Sequence, residues 1–264
     1  MKKFLTVALA GVLAASMLFT GCSKKAESKV PDKLIVGTNA ELPPFEYMND
    51  KKQPEGFDIA MIKEIGKRMG KKVEIKNMEF KSLIGAMESD SINAIIAGMT
   101  KTEKREKAVD FSDSYYTTNQ AIILKKDSKI TKLAQLDGKK IGVQEGTTGD
   151  LISSGDKFGD GKKAKVLVKG AKVKRFKKGV DAVMDLKNGS VDAVVIDELT
   201  ANEFVKKNAK KLKIVIDSAG SEYYCIALTK GNTAYKEEVN KQIKAIKEDG
   251  TYDKLKAKYI DSKN

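Results

Sequence analysis

Arginine is scarce in this chain. Of its 50 basic residues only Arg68, Arg105 and Arg175 are arginines. Arginine differs from lysine in its rigid planar fork, which grips a carboxylate through two parallel hydrogen bonds. Arg105 stands in "MTKTEKREKAVDFSD", just after the apolar run "AIIAGM". Thr100 or Thr102 can cap a helix there, with Glu103 in its first turn. Arg105 then lies one turn past a strand end, either as a carboxylate clamp or as a solvated helix-face residue. Two further stretches carry matching chemistry. "QEGTTGD" follows the apolar run "KIGV". Gly146 permits a tight turn, and the helix opening near Thr148 has free N–H groups that suit an anion or an ordinary cap. No lysine follows at P-loop spacing. Asp197 ends the apolar run "AVVID" and reads as a partner for a ligand ammonium or as a turn residue. Arg105, the helix start at Thr148 and Asp197 together would clamp a zwitterion.

Composition narrows the classes of chemistry. Histidine is absent, which removes His-based triads, His general bases and His metal sites. No cofactor and no metal site is expected. The net charge of +14 comes almost wholly from lysines spread along the chain, whereas a nucleic-acid footprint clusters on one face. The basic run "GKKAKVLVKGAKVKRFKKG", which holds Arg175, has no aromatic interleaving suited to base stacking. It is expected to be a solvated face, and no nucleic-acid partner is expected.

These residues must be positioned by a folded scaffold. At 264 residues the chain can bury a sizeable core in one large or two small domains. From residue 33 onward strand-like and helix-like runs alternate. "KLIVGT", "VEIKNM" and "AIIAGM" read as strands. "GFDIAMIKEIGKRMG" spaces Phe57, Ile59, Met61, Ile62, Ile65 and Met69 as one helical face, and Gly70 can end it. The rhythm restarts after "QAIILKK" with "KIGVQ", "KGVDAVMDLKNG", "AVVID", "ELTANEFVKKN" and "KIVID", followed by "YYCIALT" and two terminal helices. A βαβ rhythm implies a mainly parallel sheet with helices on its faces. "LIGAMESDSINAIIAGM" and "AVMDLKNGSVDAVVIDE" superpose at a spacing of 99 residues, which suggests two similar lobes. Ligands of open α/β sheets sit beyond the carboxyl ends of the strands, so "AGMT" and "IDEL" point to a shared cleft.

The N-terminus pairs Lys2 and Lys3 with an apolar run from Phe4 to Phe19, the pattern of a secretory signal. "FTGC" resembles a bacterial lipobox, with Phe19 in place of the usual leucine. That implies cleavage before Cys22, lipid on Cys22, and "SKKAESKVPDK" as a polar tether. Cys225 is then a lone thiol, expected to be buried.

From about Lys33 to Ile260 the chain resembles the amino-acid-binding proteins (family 3) of bacterial ABC importers. The marks are "VGTNAELPPFEY", "GFDIAM", "IIAGMTKTEKREKAVDFSDSYY", "KIGVQEGTTGD" and "VDAVVID", in that order. The resemblance implies a type II periplasmic-binding-protein fold: two α/β lobes joined by two crossing strands, with a ligand cleft between them. Its implied boundaries are residues 1–21 for the lipoprotein signal, 22–32 for the tether, 33–119 for the first lobe, 120–222 for the second, and 223–264 for the return to the first. It implies Arg105 and Thr148 for the ligand α-carboxylate and Asp197 for its ammonium. Gly98 and Thr100 would touch the ligand head, and Asn39, Leu42, Phe80 and Gln144 would line the side-chain pocket. Leu42 replaces an aromatic ring common in relatives, and Asn39 stands where cation binders often have Asp, so a neutral polar amino acid stays open beside a basic one. Phe45 is expected to pack behind the loop. The implied role is an extracytoplasmic lipoprotein, acting as a monomer, that captures a polar L-amino acid and delivers it to a membrane permease by cleft closure. Two other classes remain. A secreted dehydratase-like enzyme on the same fold would need an aimed acid or base, and "SGDK" is an isolated S-x-x-K. A sensor domain would need an output, and the terminal "KYIDSKN" leads into no membrane helix, which leaves only a soluble partner of a receptor.

Overall fold

The computed structural model describes residues 28–159 and 164–263, so the signal segment and Cys22 lie outside the described residues. The chain opens with β1 (Lys33–Thr38), then β2 (Glu41–Leu42), β3 (Glu46–Met48) and β4 (Pro54–Glu55). Next come α1 (Phe57–Arg68), β5 (Lys72–Asn77), α2 (Leu83–Glu88), β6 (Ala94–Ile95) and α3 (Glu103–Glu106). A long β7 (Val109–Lys125) leads to β8 (Lys140–Gln144), α4 (Thr148–Ser153), β9 (Lys157–Phe158), β10 (Lys165–Val166) and β11 (Lys172–Phe176). Then follow α5 (Gly179–Asn188), β12 (Ala193–Asp197), α6 (Glu198–Lys206), a second long strand β13 (Leu212–Thr229), α7 (Thr233–Glu248) and α8 (Thr251–Tyr259).

The main sheet runs β11-β8-β12-β7-β13-β6-β1-β5. Its two ends are parallel, as the βαβ rhythm predicts, with β1 between β5 and β6 and β8 between β11 and β12. Its centre is not. β7 and β13 pair antiparallel with each other, and β12 and β6 join them antiparallel. The expectation of a mainly parallel sheet therefore fails at the middle, where two long strands cross between the lobes. "KIVID" and "YYCIALT" are one strand, with register shifts between Asp217 and Ser221. The intervening Ser and Gly residues read locally as a turn but form a bulge within a continuing ladder. "DFSDSYYTTNQ" is likewise strand; its buried polar residues Ser112, Thr118 and Gln120 conceal it.

Helix packing follows the apolar spacing. α1 buries Phe57, Ile59, Met61, Ile62 and Ile65, and all but Ile59 join one cluster with β1 residues Leu34 and Val36 and with Tyr235, Val239 and Ile243 of α7. The other lobe has its own cluster around Ile141 and Val143 of β8, Val195 of β12 and Ile122 of β7. Phe45 is fully buried, edge-on to Tyr116 at 4.9 Å and Tyr224 at 5.1 Å, so it packs behind the loop as expected. Cys225 is a buried free thiol, and burial pushes its pKa up to about 11.

The internal echo has a structural meaning. Its two copies are α2 leading to β6 and α5 leading to β12. After α5 the chain turns through Gly189 at φ +81°, and at the matching position after α2 stands Asp90 at φ +56°. Glycine adopts this left-handed cap at no steric cost, whereas Asp is strained there. Asp90→Gly is expected to stabilise the fold by about 0.5–1 kcal/mol, measurable by denaturant unfolding. A lower midpoint in the variant would refute this.

Candidate functional site

Arg105 is placed by the short α3, whose cap is Thr102: its hydroxyl accepts from Arg105 N at 3.3 Å. The guanidinium is buried and is not the solvated surface group that local patterning allowed. Nη1 donates to Thr100 O at 2.6 Å and Nη2 to Gly146 O at 3.0 Å, and the fork lies 5.3 Å from the Phe80 ring centroid. Burial pulls its pKa down to about 10, against Glu222 and Asp197, which favour its charge. It stays cationic at neutral pH, with donors of its five-donor fork still to be used.

Asp197 closes β12 and occupies the N-cap position of α6, yet its side chain does not cap that helix. Its Oδ1 instead accepts from Tyr224 Oη at 2.6 Å and Gln120 Nε2 at 3.4 Å. Burial holds its pKa above the usual carboxylate range, with the Tyr224 hydrogen bond and Arg105 opposing. A buried carboxyl that caps no helix and lines a cavity is suited to meeting a cation there.

These groups surround a tight cavity between the two sides of the cleft. Arg105, Asp197, Thr148 and Gly98 line its head, and Asn39, Leu42, Phe80 and Gln144 line it as well. Gly98 is held at φ +53°, and its N–H donates to Asp58 Oδ2 at 2.8 Å; a Cβ there would collide with Leu42. Asn39 and Gln144 bond each other across the cleft, with Gln144 Nε2 donating to Asn39 Oδ1 at 2.8 Å. Asn39 Nδ2 donates to Met78 O at 2.8 Å. Their amides therefore close the wall and are largely engaged already.

Two expected residues behave differently. Thr100 is not on the cavity wall: its carbonyl accepts from Arg105 and its hydroxyl donates to the Glu222 carboxylate. The cap of α4 is Thr147, which accepts from Asp150 N at 3.3 Å, while the Thr148 hydroxyl donates to Glu222 at 2.7 Å. Thr148 can thus offer an anion its backbone N–H but not its hydroxyl proton. Arg175, expected as part of a solvated face, also has a structural task. Its Nε donates to Asp150 Oδ2 at 3.0 Å, and that oxygen also accepts from Gly146 N at 3.0 Å, which fastens the turn before α4.

Sequence reasoning missed the other buried polar residues here. Glu46 lines the cavity, is fully buried, and sets its carboxyl against that of buried Asp58, with which it can share a proton. Burial first, then neighbouring Asp58, hold its pKa well above the carboxylate range. Glu222, Gln120 and Tyr224 lie behind the head. Glu222 had a signal in the sequence: it shares the face of Tyr224, Ile226 and Leu228, all buried, as alternation along a strand requires.

The cleft is closed. Lys81 pairs with Glu145 at 2.9 Å, Lys177 with Glu79 at 2.7 Å and Lys178 with Glu41 at 2.7 Å, while Thr200 Oγ1 donates to Pro43 O at 2.8 Å. The ion pairs sit at an exposed rim, where screening leaves them weak. The larger share of closure must come from groups inside.

Comparison with known proteins agrees with this architecture. Residues 34–262 match the sequence pattern of bacterial extracellular solute-binding proteins, family 3. The arginine-binding extracellular protein ArtP of Bacillus subtilis is 33% identical over 98% of both chains. The ABC transporter arginine-binding protein 1 of Escherichia coli is 34% identical over 97% of both. An ancestral arginine-binding protein bound to arginine superposes with a TM-score of 0.76 at 40% identity, covering 88% of this chain and 100% of that one. An ancestral arginine-binding protein bound to glutamine gives 0.76 at 41%, covering 88% of this chain and 99% of that one. These relatives bind solutes and are not enzymes, and the chain belongs to the bacterial extracellular solute-binding proteins, family 3.

Proposed function

We propose that the chain captures an L-amino acid with a cationic side chain, arginine first, and presents it to the permease of an ABC importer. Arg105 takes the α-carboxylate, aided by the backbone at Thr148, and Asp197 takes the ammonium. Phe80 and Leu42 flank the side chain. Because Arg105 and Asp197 come from opposite sides of the crossing strands, the zwitterion is satisfied only when both sides meet, and binding favours closure. Secretion, cleavage before Cys22 and a lipid anchor there, with one copy acting alone, complete the reading. The intact mass of the membrane-extracted chain tests the anchor.

The observation that carries the cationic preference is Glu46. Its carboxyl lines the cavity beside buried Asp58, and a ligand guanidinium would bring donors to this pair and draw Glu46 into its charged form. The relatives named for arginine support this reading, and the glutamine-bound ancestral structure names the competitor. Calorimetry with arginine and with citrulline, its neutral isostere, decides the matter. Arginine is expected to bind about 100-fold more tightly, about 2–3 kcal/mol, and Glu46→Gln is expected to erase most of that ratio. Equal or tighter binding of citrulline or glutamine by the wild type would overturn the preference.

A further inference from the structure

Glu222 stands off the cavity wall and is fully buried, yet three other segments converge on its carboxyl group. Oε1 accepts from Thr148 Oγ1 at 2.7 Å and from Gln120 Nε2, and Oε2 accepts from Thr100 Oγ1. Thr100 follows β6 on one side of the cleft and Thr148 opens α4 on the other. Gln120 belongs to the first crossing strand and Glu222 to the second. We propose that Glu222 is a closure latch: a positioning residue whose carboxylate ties Thr100, Thr148 and both crossing strands together only when the cleft is shut. This rests on the reading that an amino acid closes the cleft.

The chemistry suits a latch. Rim ion pairs are exposed, but hydrogen bonds from two hydroxyls and an amide to a buried carboxylate are charge-assisted and unscreened. They also orient the site, since Thr100 supplies the carbonyl that aims Arg105. The charged and titratable groups facing Glu222 are Asp197 of β12, Arg105 of α3 and Tyr224 of its own strand. Burial, then the Asp197 charge, raise the Glu222 pKa to about 8. The two carboxyls compete for one negative charge in the free protein. A ligand ammonium neutralises Asp197 and so lowers the Glu222 pKa. Binding therefore releases a proton, and affinity falls as pH drops below about 8.

Calorimetry and stopped-flow binding of arginine to wild type, Glu222→Gln and Thr148→Val test the latch, with the pH series run from 6 to 9. Glu222→Gln is expected to weaken binding about 10- to 100-fold, mainly through faster dissociation, and to flatten the pH dependence. Thr148→Val keeps the backbone N–H but loses one latch bond. It is expected to speed dissociation about 10-fold, less than additively with Glu222→Gln. Wild-type dissociation rates and an unchanged pH slope in Glu222→Gln would overturn the latch. If that variant does not fold, an unaltered dissociation rate in Thr148→Val would do the same. Failure of the underlying reading looks different: wild type itself would bind no amino acid.

Discussion

Arg105→Lys is expected to lower affinity for the bound amino acid at least about 100-fold, near 3 kcal/mol. A lysine ammonium is a compact point charge on a flexible stem. It cannot bond Thr100 O and Gly146 O at once and still present two parallel donors to a carboxylate. Nor can it hold a planar fork against the Phe80 ring. The Gly146 bond also joins the two sides of the cleft, so the variant loses preorganisation along with donors. Isothermal calorimetry reads the loss directly. An affinity within threefold of wild type would show that Arg105 merely braces Thr100 and Gly146.

Asp197→Asn is expected to weaken binding about 100- to 1,000-fold, roughly 3–4 kcal/mol, because it leaves the ligand ammonium buried without its counter-charge. The variant keeps the side-chain shape and an oxygen for the Tyr224 hydroxyl, so packing is preserved. Its effect on the free protein has the opposite sign. Burial raises the Asp197 pKa above its value of 3.8 in the unfolded chain. The folded state then holds the proton longer than the unfolded state, and stability falls as pH rises from 3.8 through the folded pKa. Asparagine carries no such cost, so the ligand-free variant is expected to unfold at a higher temperature than wild type at pH 7. Melting curves with and without arginine check both signs together. Wild-type affinity in the variant would remove Asp197 from the ammonium site.

Much of the scaffold was legible because it repeats locally. The apolar spacing in "GFDIAMIKEIGKR" gives α1 its buried face, and the echo of α2 to β6 in α5 to β12 extends to Asp90 and Gly189 in the same left-handed turn. β7 and β13 were harder to see. Where they cross the cleft they carry Gln120 and Glu222 inward, and buried polar residues look like loop to any rule based on apolar alternation. Glu46 was hidden differently, as one acidic letter between Phe45 and Tyr47 in a short strand, with nothing nearby in the chain to mark it as buried against Asp58.

Residue type and short-range periodicity, which act over one turn or one strand, determine what this chain can offer by itself. They supply a rare arginine after one strand end, an aspartate ending another, no histidine, and an alternation that builds two related lobes. Which atoms face the ligand is a property of the closed structure. Thr100 and Glu222 are 122 positions apart, and Thr148 and Glu222 are 74 apart. Their hydroxyls turn to that carboxylate because burial leaves a charge no water to meet. Only the packed chain brings such a charge beside its donors, and only there do Arg105 and Asp197 stop being surface punctuation and become two sides of one cavity.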